Sequence, residues 1–369
     1  MRIAIDATPL LLRSAGVKTY LLNWLLHMQR LASPDERILA WPRLKPRQDY
    51  SHENSVTGRC GTLARLAFVQ WINYVNVPPL SRIGPRVDIF HASHQMRRPP
   101  GNCKLTATVY DMTCWLAPET HHPANVRALH HFANNVMIPA AGLIAISESS
   151  RNDAVRILGL NPDKIVVIYP GVPPAYFAAG PVDARLAAMQ YALWKPYALF
   201  VGTIEPRKNV DALLDAWASL SPSLRRHYEL VVAGPEGWAQ PGTLGRLKAG
   251  EGGVRYLGYV PERDLPGLTA GASVLVYPSL YEGFGLPLAQ ALAAGVPVVT
   301  SNVSSMPEVA GDAGLLVDPR SPAEIAAAVA RLLESPQLRA EMSSKARARA
   351  PRFRWEVAAQ LSLEWFRSL

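Results

Sequence analysis

The segment YPSLYEGFGLPLAQALAAG, Tyr277–Gly295, carries the residues best suited to chemistry. An apolar run leads into a glycine-rich loop and then into a helical stretch closed by Gly295. Gly283 and Gly285, on either side of Phe284, let backbone amides come close to a ligand. The helix expected from Leu286 points its amino terminus at the same place, which suits a phosphate or diphosphate. Glu282 is a carboxylate beside that anion-binding start, a position better explained by gripping sugar hydroxyls than by helix capping alone. Gln290 falls in the first turns of the same helix. An ordinary strand-to-helix turn is the plain alternative. A second loop, LFVGTIEPRKN, places Arg207 and Lys208 just beyond a strand ending at Gly202. Two adjacent cations there suit a leaving diphosphate; a solvated basic loop is the plain alternative.

The elements that must hold these loops are legible as alternating short apolar runs and helical stretches. Strands are expected at Arg2–Asp6, Val87–Ala92, Lys104–Tyr110, Gly142–Ile146 and Lys164–Ile168, with a helix at Val17–Leu31. The alternation restarts after Pro196, with strands at Tyr197–Gly202, Tyr228–Gly234, Ala272–Tyr277, Val296–Thr300 and Gly314–Val317 and a helix at Val210–Leu220. Continuous apolar runs read as parallel strands buried on both faces. Two such series predict two doubly wound α/β domains facing a central cleft, with ligands beyond the strand carboxyl ends. The expected domains are 1–175, 190–352 and a helix over 353–369 that packs back on the first. Its apolar face is predicted as Trp355, Ala358, Leu361 and Trp365.

With 369 residues, 49% apolar and 18% charged, the chain suits two soluble domains. No apolar run approaches a membrane span. The start MRIAIDATPL reads as a strand rather than a secretory signal. Three cysteines, Cys60, Cys103 and Cys114, have no metal-type spacing and fit reduced thiols in a cytoplasmic setting. Residues 1–180 hold 19 Lys/Arg against 11 Asp/Glu, so nearly all of the net charge of +9 lies there. That asymmetry predicts an anionic partner such as a membrane surface or phosphorylated acceptor. Nucleic acid is not expected, because arginine-rich runs, finger spacings and aromatic RNA-binding strands are missing. His121, His122, His130 and His131 form pairs without a completing ligand set, so no metal site is expected. Phe68, Trp71, Ile72 and Val75 form a helical apolar stripe that suits packing better than a membrane-dipping face.

The second half resembles glycosyltransferase family 4, the retaining GT-B enzymes, through VGTIEPRKN, LGYVPERDLPGLTAGASVLVYPSLYEGFGLP and GVPVVTSNVSSMPEVAGDAGLLVDP in order. The first half resembles it more loosely through IDATPLLLRSAGVKTY, VYDMTCWLAPETHHP, ISESSRNDAV and VIYPGV. The resemblance implies a GT-B fold, with an acceptor-binding first domain and a donor-binding second. Glu282 matches the first glutamate of the family's paired-glutamate motif, which contacts donor-sugar hydroxyls. Gln290 stands where a second glutamate normally binds ribose; its amide still accepts and donates, but without charge assistance. Lys208 matches the diphosphate-binding lysine. Thr203 stands where some relatives carry an arginine after Gly202. Gly258, Tyr259 and Val260 match the loop near the base, and the amides of Gly283, Phe284, Gly285 and Leu286 the phosphate site. Gly16 lies in a loop that in relatives approaches donor and acceptor. Tyr110 and Asp111 match a pair that is often His-Asp, which makes Asp111 a candidate sugar or acceptor contact; a turn or helix-cap role is its plain alternative.

The resemblance further implies retention through front-side transfer, the departing diphosphate taking the acceptor proton. Stabilisation would come from Arg207, Lys208 and the helix terminus. No D-x-D occurs, so a metal clamp has no evident ligands; neither metal nor cofactor is expected, the nucleotide sugar being a substrate. The expected donor is GDP-mannose, with a UDP-sugar next, and the acceptor a glycan or lipid-linked glycan in polysaccharide assembly. Peripheral contact with an anionic membrane fits the basic first half. A catalytically weakened binding or regulatory protein is the other reading, kept open by Gln290 and Tyr110.

Overall fold

The computed structural model describes residues 1–11, 16–44, 58–75, 86–93, 96–238 and 241–369. They form two compact units, Met1–Gly171 with Trp355–Leu369, and Val172–Arg354. The stretch 176–189 between the two expected domains therefore joins the second unit, where Pro174–Ala178 and Pro181–Gln190 are helical.

The first unit is built on six parallel strands: β1 (Arg2–Asp6), β2 (Arg37–Trp41), β3 (Ile89–Ala92), β4 (Lys104–Val109), β5 (Gly142–Ala145) and β6 (Ile165–Val167), in the order β2-β1-β3-β4-β5-β6. Ile3 pairs with Ile38 on one side and Ile89 on the other. Ile3, Ala4 and Ile5 are fully buried, as a strand covered on both faces requires. Helix Gly16–Leu31 packs against the carboxy-terminal helix Trp355–Ser368. The Trp24 indole Nε1 donates to Ser362 Oγ at 2.8 Å, and that hydroxyl donates to Ala358 O at 2.7 Å. Trp355 fills the space beside Gly171, where a Cβ would lie 2.3 Å from the indole.

The buried face of that last helix differs from the expected one. Trp355 and Ala358 are buried, but Leu361 is 44% exposed, and Ala359, Ser362, Leu363 and Phe366 complete the inner stripe. The i, i+3, i+4, i+7 pattern is hidden in the sequence because Ser362 occupies a core position, its hydroxyl satisfied by the bonds above.

The second unit holds β7 (Tyr197–Val201), β8 (Glu229–Ala233), β9 (Val254–Gly258), β10 (Val274–Tyr277), β11 (Val298–Ser301) and β12 (Gly314–Val317), all parallel, in the order β12-β11-β10-β7-β8-β9. The chain starts at β7, winds outward to β9, then returns to β10 on the other side of β7. The winding direction reverses between β7 and β10, the place where open α/β sheets bind ligands. Strands β2 and β9, absent from the sequence reading, are both edge strands. They carry Arg37 and Arg255 and are only partly buried, so neither shows the continuous apolar run of a central strand. Among the described residues no helix is long and apolar enough to cross a membrane.

Candidate active site

Both loops at the reversal carry the charged residues singled out by the sequence. After β7 the chain makes a short turn at Pro206–Lys208 and enters helix Val210–Ser219 through Asn209, which adopts φ +58°. Asparagine tolerates this left-handed conformation better than most residues. Its Nδ2 donates to Pro278 O at 3.0 Å and Pro319 O at 2.6 Å, tying the turn to the ends of β10 and β12. After β10, Leu280 N donates to Arg207 O at 2.9 Å, drawing the second loop onto the first.

The Glu282 carboxylate lies at the meeting point. Lys208 Nζ donates to its Oε1 at 2.6 Å, and Arg207 Nη1 to its Oε2 at 2.8 Å. The Tyr277 hydroxyl donates to Oε1 at 2.9 Å while accepting from Lys208 Nζ at 2.7 Å. Arg207 also donates to Tyr281 O at 2.8 Å and to Glu205 Oε1 at 2.7 Å. The Glu282 side chain is 8% exposed and that of Lys208 11%. Burial alone would raise the Glu282 carboxyl, but the Lys208 ammonium and the Arg207 guanidinium outweigh it and hold the group at about 2. Burial pushes the Lys208 ammonium below its ordinary range, opposed by the Glu282 charge. Tyr277 is fully buried and its hydroxyl is raised well above the usual range by burial and then by Glu282, so it acts as a neutral donor.

The backbone of Glu282 is held as firmly. Its N–H donates to Ser304 Oγ at 3.2 Å, and its carbonyl accepts from Ser304 Oγ at 2.5 Å and Ser305 Oγ at 2.9 Å. Ser304 is itself at φ +56°. Beyond Glu282, Gly285 takes φ +89° and opens helix Leu286–Ala293, so the loop needs glycine there. Gln290 is half-buried in that helix, one turn along from Leu286.

Other expected contacts have narrower scope. Phe284 is 3% exposed and packs edge-on against Phe353, with centroids 5.6 Å apart, so its ring belongs to the core and only its backbone remains for a ligand. Val260 is likewise a core side chain, while Tyr259 is exposed. The Thr203 methyl lies 2.7 Å from where a Gly237 Cβ would stand, and so packs on that glycine. Gly202 and Gly234 approach so closely that a Cβ on Gly234, at φ +151°, would lie 1.9 Å from Gly202 O. Glycine at 234 is thus what lets the ends of β7 and β8 meet beside the charged loop. Glu205, Tyr277, Asn209, Ser304 and Ser305 were not singled out from sequence, although all lie within or beside the quoted motifs.

Two expected residues belong to the first unit. Gly16 is not in a loop but is the first residue of helix Gly16–Leu31; residues 12–15 of IDATPLLLRSAGVKTY lie outside the described residues. Asp111 Oδ1 accepts from Thr113 N at 3.0 Å and Thr113 Oγ1 at 2.5 Å, closing the turn into helix Thr113–Leu116. This is the turn role weighed against a ligand contact. Burial raises the Tyr110 hydroxyl well above its ordinary range, and its ring meets Tyr20 edge-on at 5.5 Å. A carboxylate not anticipated as functional, Asp6, stands at the reversal point of this sheet, between β1 and β3. Its Oδ2 accepts from Ser93 Oγ at 2.5 Å and its Oδ1 from Thr8 N at 3.0 Å. Two of the four histidines serve local structure: His122 Nδ1 accepts from Ala124 N at 3.2 Å, and His130 packs on Trp115 with centroids 4.7 Å apart.

The family model described as "Glycosyl transferases group 1" matches residues 192–349. The chain is 35% identical over 283 residues to O-antigen chain mannosyltransferase B of Escherichia coli, covering 76% of this chain and 73% of that one. It is 28% identical over 236 residues to serotype-specific mannosyltransferase WbdA of Escherichia coli, spanning 62% of this chain but 29% of that protein. The solved structure of Anabaena Alr3699/HepE in complex with UDP and glucose superposes with a TM-score of 0.73 at 20% identity, over 100% of both chains. The fold is therefore α/β of the GT-B class, and the chain belongs to the group 1 glycosyl transferases.

The Glu282 pairing has a measurable pH signature. Its carboxyl is depressed from the ordinary 4.5 to about 2, so its contribution to stability is complete above about pH 4.5 and lost as pH falls toward 2. Glu282→Gln is expected to destabilise the protein by about 3 kcal/mol at neutral pH, because the largely buried Lys208 ammonium loses its counter-charge and Arg207 keeps only Glu205. Denaturant unfolding of both proteins should show the difference shrinking across that acid window; a pH-independent difference would contradict the pairing.

Proposed function

We propose that this glycosyltransferase is a retaining, metal-independent hexosyltransferase of family 4. It would take mannose from GDP-mannose, with a UDP-sugar as second choice, and pass it to a glycan or lipid-linked glycan in polysaccharide assembly. The observation carrying this reading is the buried Glu282–Lys208–Arg207 cluster at the reversal point of the second sheet, beside the amino terminus of helix Leu286–Ala293. An ammonium and a helix amino terminus suit a diphosphate, and a pre-aligned carboxylate suits sugar hydroxyls. The preference for mannose rests on similarity to O-antigen chain mannosyltransferase B. Gln290 would hold the ribose through neutral hydrogen bonds, and Gly202, Thr203 and the backbone at Tyr259 and Val260 would border the nucleotide. Gly16 would approach the donor phosphates and the acceptor, and Asp111 would contact the sugar or the acceptor. The intact cluster disfavours a catalytically weakened protein.

In this mechanism Lys208 and the amides of Gly283–Leu286 stabilise the departing diphosphate, which takes the acceptor proton as the sugar transfers on the same face; Arg207, expected from sequence to share that role, instead holds Glu282 while bound to Glu205 and Tyr281 O. Thermal-shift titration with GDP and UDP should raise the melting temperature, GDP more strongly. Lys208→Ala and Glu282→Ala should each lower sugar transfer by roughly a hundredfold or more, and chelation by EDTA should leave the unaltered chain's rate intact. Near-normal transfer by both variants, or no stabilisation by either nucleotide, would refute the assignment.

A cytoplasmic location with peripheral contact at an anionic membrane fits the basic first half and helix Arg59–Tyr74. That helix carries Arg59 and Arg65, no acidic residue, and exposed Leu63, Phe68 and Tyr74. Exposed apolar residues with only positive charge suit an anionic interface. Co-sedimentation with phosphatidylglycerol vesicles should exceed that with phosphatidylcholine vesicles and fall with salt; equal binding to both would contradict it.

A further inference from the structure

Four charges meet in the candidate site, and their formal sum is zero. Glu205 and Glu282 are the carboxylates, Arg207 and Lys208 the cations. Arg207 is committed to the protein: one terminal nitrogen donates to Glu205 Oε1, the other to Glu282 Oε2 and Tyr281 O. Glu205 is 6% exposed, so its charge acts with little screening by solvent. No added cation follows Gly202, where the residue is Thr203. An arriving diphosphate therefore meets Lys208, itself shared with Glu282, and the amides at the start of helix Leu286–Ala293. A nucleoside diphosphate also carries more negative charge than the sugar nucleotide it came from. A site with excess positive charge would hold product more tightly than donor, whereas a neutral one favours release.

We propose that Glu205 is a charge-setting residue: its buried carboxylate cancels the Arg207 charge and so limits how tightly the site retains a nucleoside diphosphate product. This inference rests on the reading of the cluster as a nucleotide-sugar site. Glu205 is a positioning and affinity-setting residue rather than a catalytic one, since it acts through Arg207.

The test is calorimetric titration of GDP and UDP into the full chain and its Glu205→Gln and Glu205→Asp variants, at low and high ionic strength, with steady-state transfer kinetics alongside. Glu205→Gln should bind the nucleoside diphosphate roughly tenfold more tightly at low salt, while Glu205→Asp, which keeps the charge, should stay within about twofold of the unaltered chain. The gain should shrink at high salt, and kcat and donor KM should fall together. Unchanged or weaker product binding by Glu205→Gln, with the same salt dependence, would overturn the inference and reduce Glu205 to a packing partner of Arg207. Should Glu205→Gln not fold, Glu205→Asp still decides, since tightened binding with the charge retained would also overturn it. Failure of the unaltered chain to bind either nucleotide would sink the underlying functional reading; binding by that chain without the expected shift sinks this inference alone.

Discussion

A carboxylate buried between two cations is the constraint on which the second unit's site depends. An isolated buried charge is too costly to persist, so Glu282 stays ionised only because Lys208, Arg207 and the Tyr277 hydroxyl converge on it. That convergence requires the loops after β7 and β10 to touch, which the strand order arranges by placing these strands side by side. Asn209 and the Ser304–Ser305 pair then hold the two loops from behind. Local backbone strain at Asn209 and Ser304 is thereby spent on aiming one side chain.

The two sheets use their reversal points differently. In the first unit Asp6 sits between β1 and β3 with both oxygens engaged by Thr8 and Ser93, and burial raises its pKa. In the second unit Glu282 is ionised and paired with cations instead. One carboxylate is surrounded by neutral donors, the other by charges, so each sheet presents a chemically distinct group at its reversal point. A neutral-donor environment keeps a carboxyl ready to protonate, while an ion-paired one keeps it anionic across the physiological range.

The central strands were legible because residues covered on both faces must be apolar in succession, as in Ile3–Ile5 and Val274–Val276. Edge strands β2 and β9 lack that signal, and Ser362 disguised the inner face of the last helix. Within the site, Glu282, Arg207 and Lys208 announce themselves by residue type, glycine context and family motif. Tyr277 does not, since its partner Lys208 lies 69 residues away, a separation only the fold closes; Glu205 pairs with Arg207 just two residues on, but its burial shows only in the fold. Motif position also says little about which atoms are available: Phe284 and Val260 sit in matching blocks, yet their side chains are core. Asp111 shows the converse, a polar residue whose visible bonds close a turn.

The most direct measurement of the central claim is a structure of the chain with an intact sugar nucleotide. The diphosphate is expected within hydrogen-bond reach of Lys208 Nζ and the amides at Gly283–Leu286, with Glu282 accepting from sugar hydroxyls and Arg207 still joined to Glu205. A nucleotide bound elsewhere, or one that leaves the Glu282 carboxylate without any sugar contact, would contradict it.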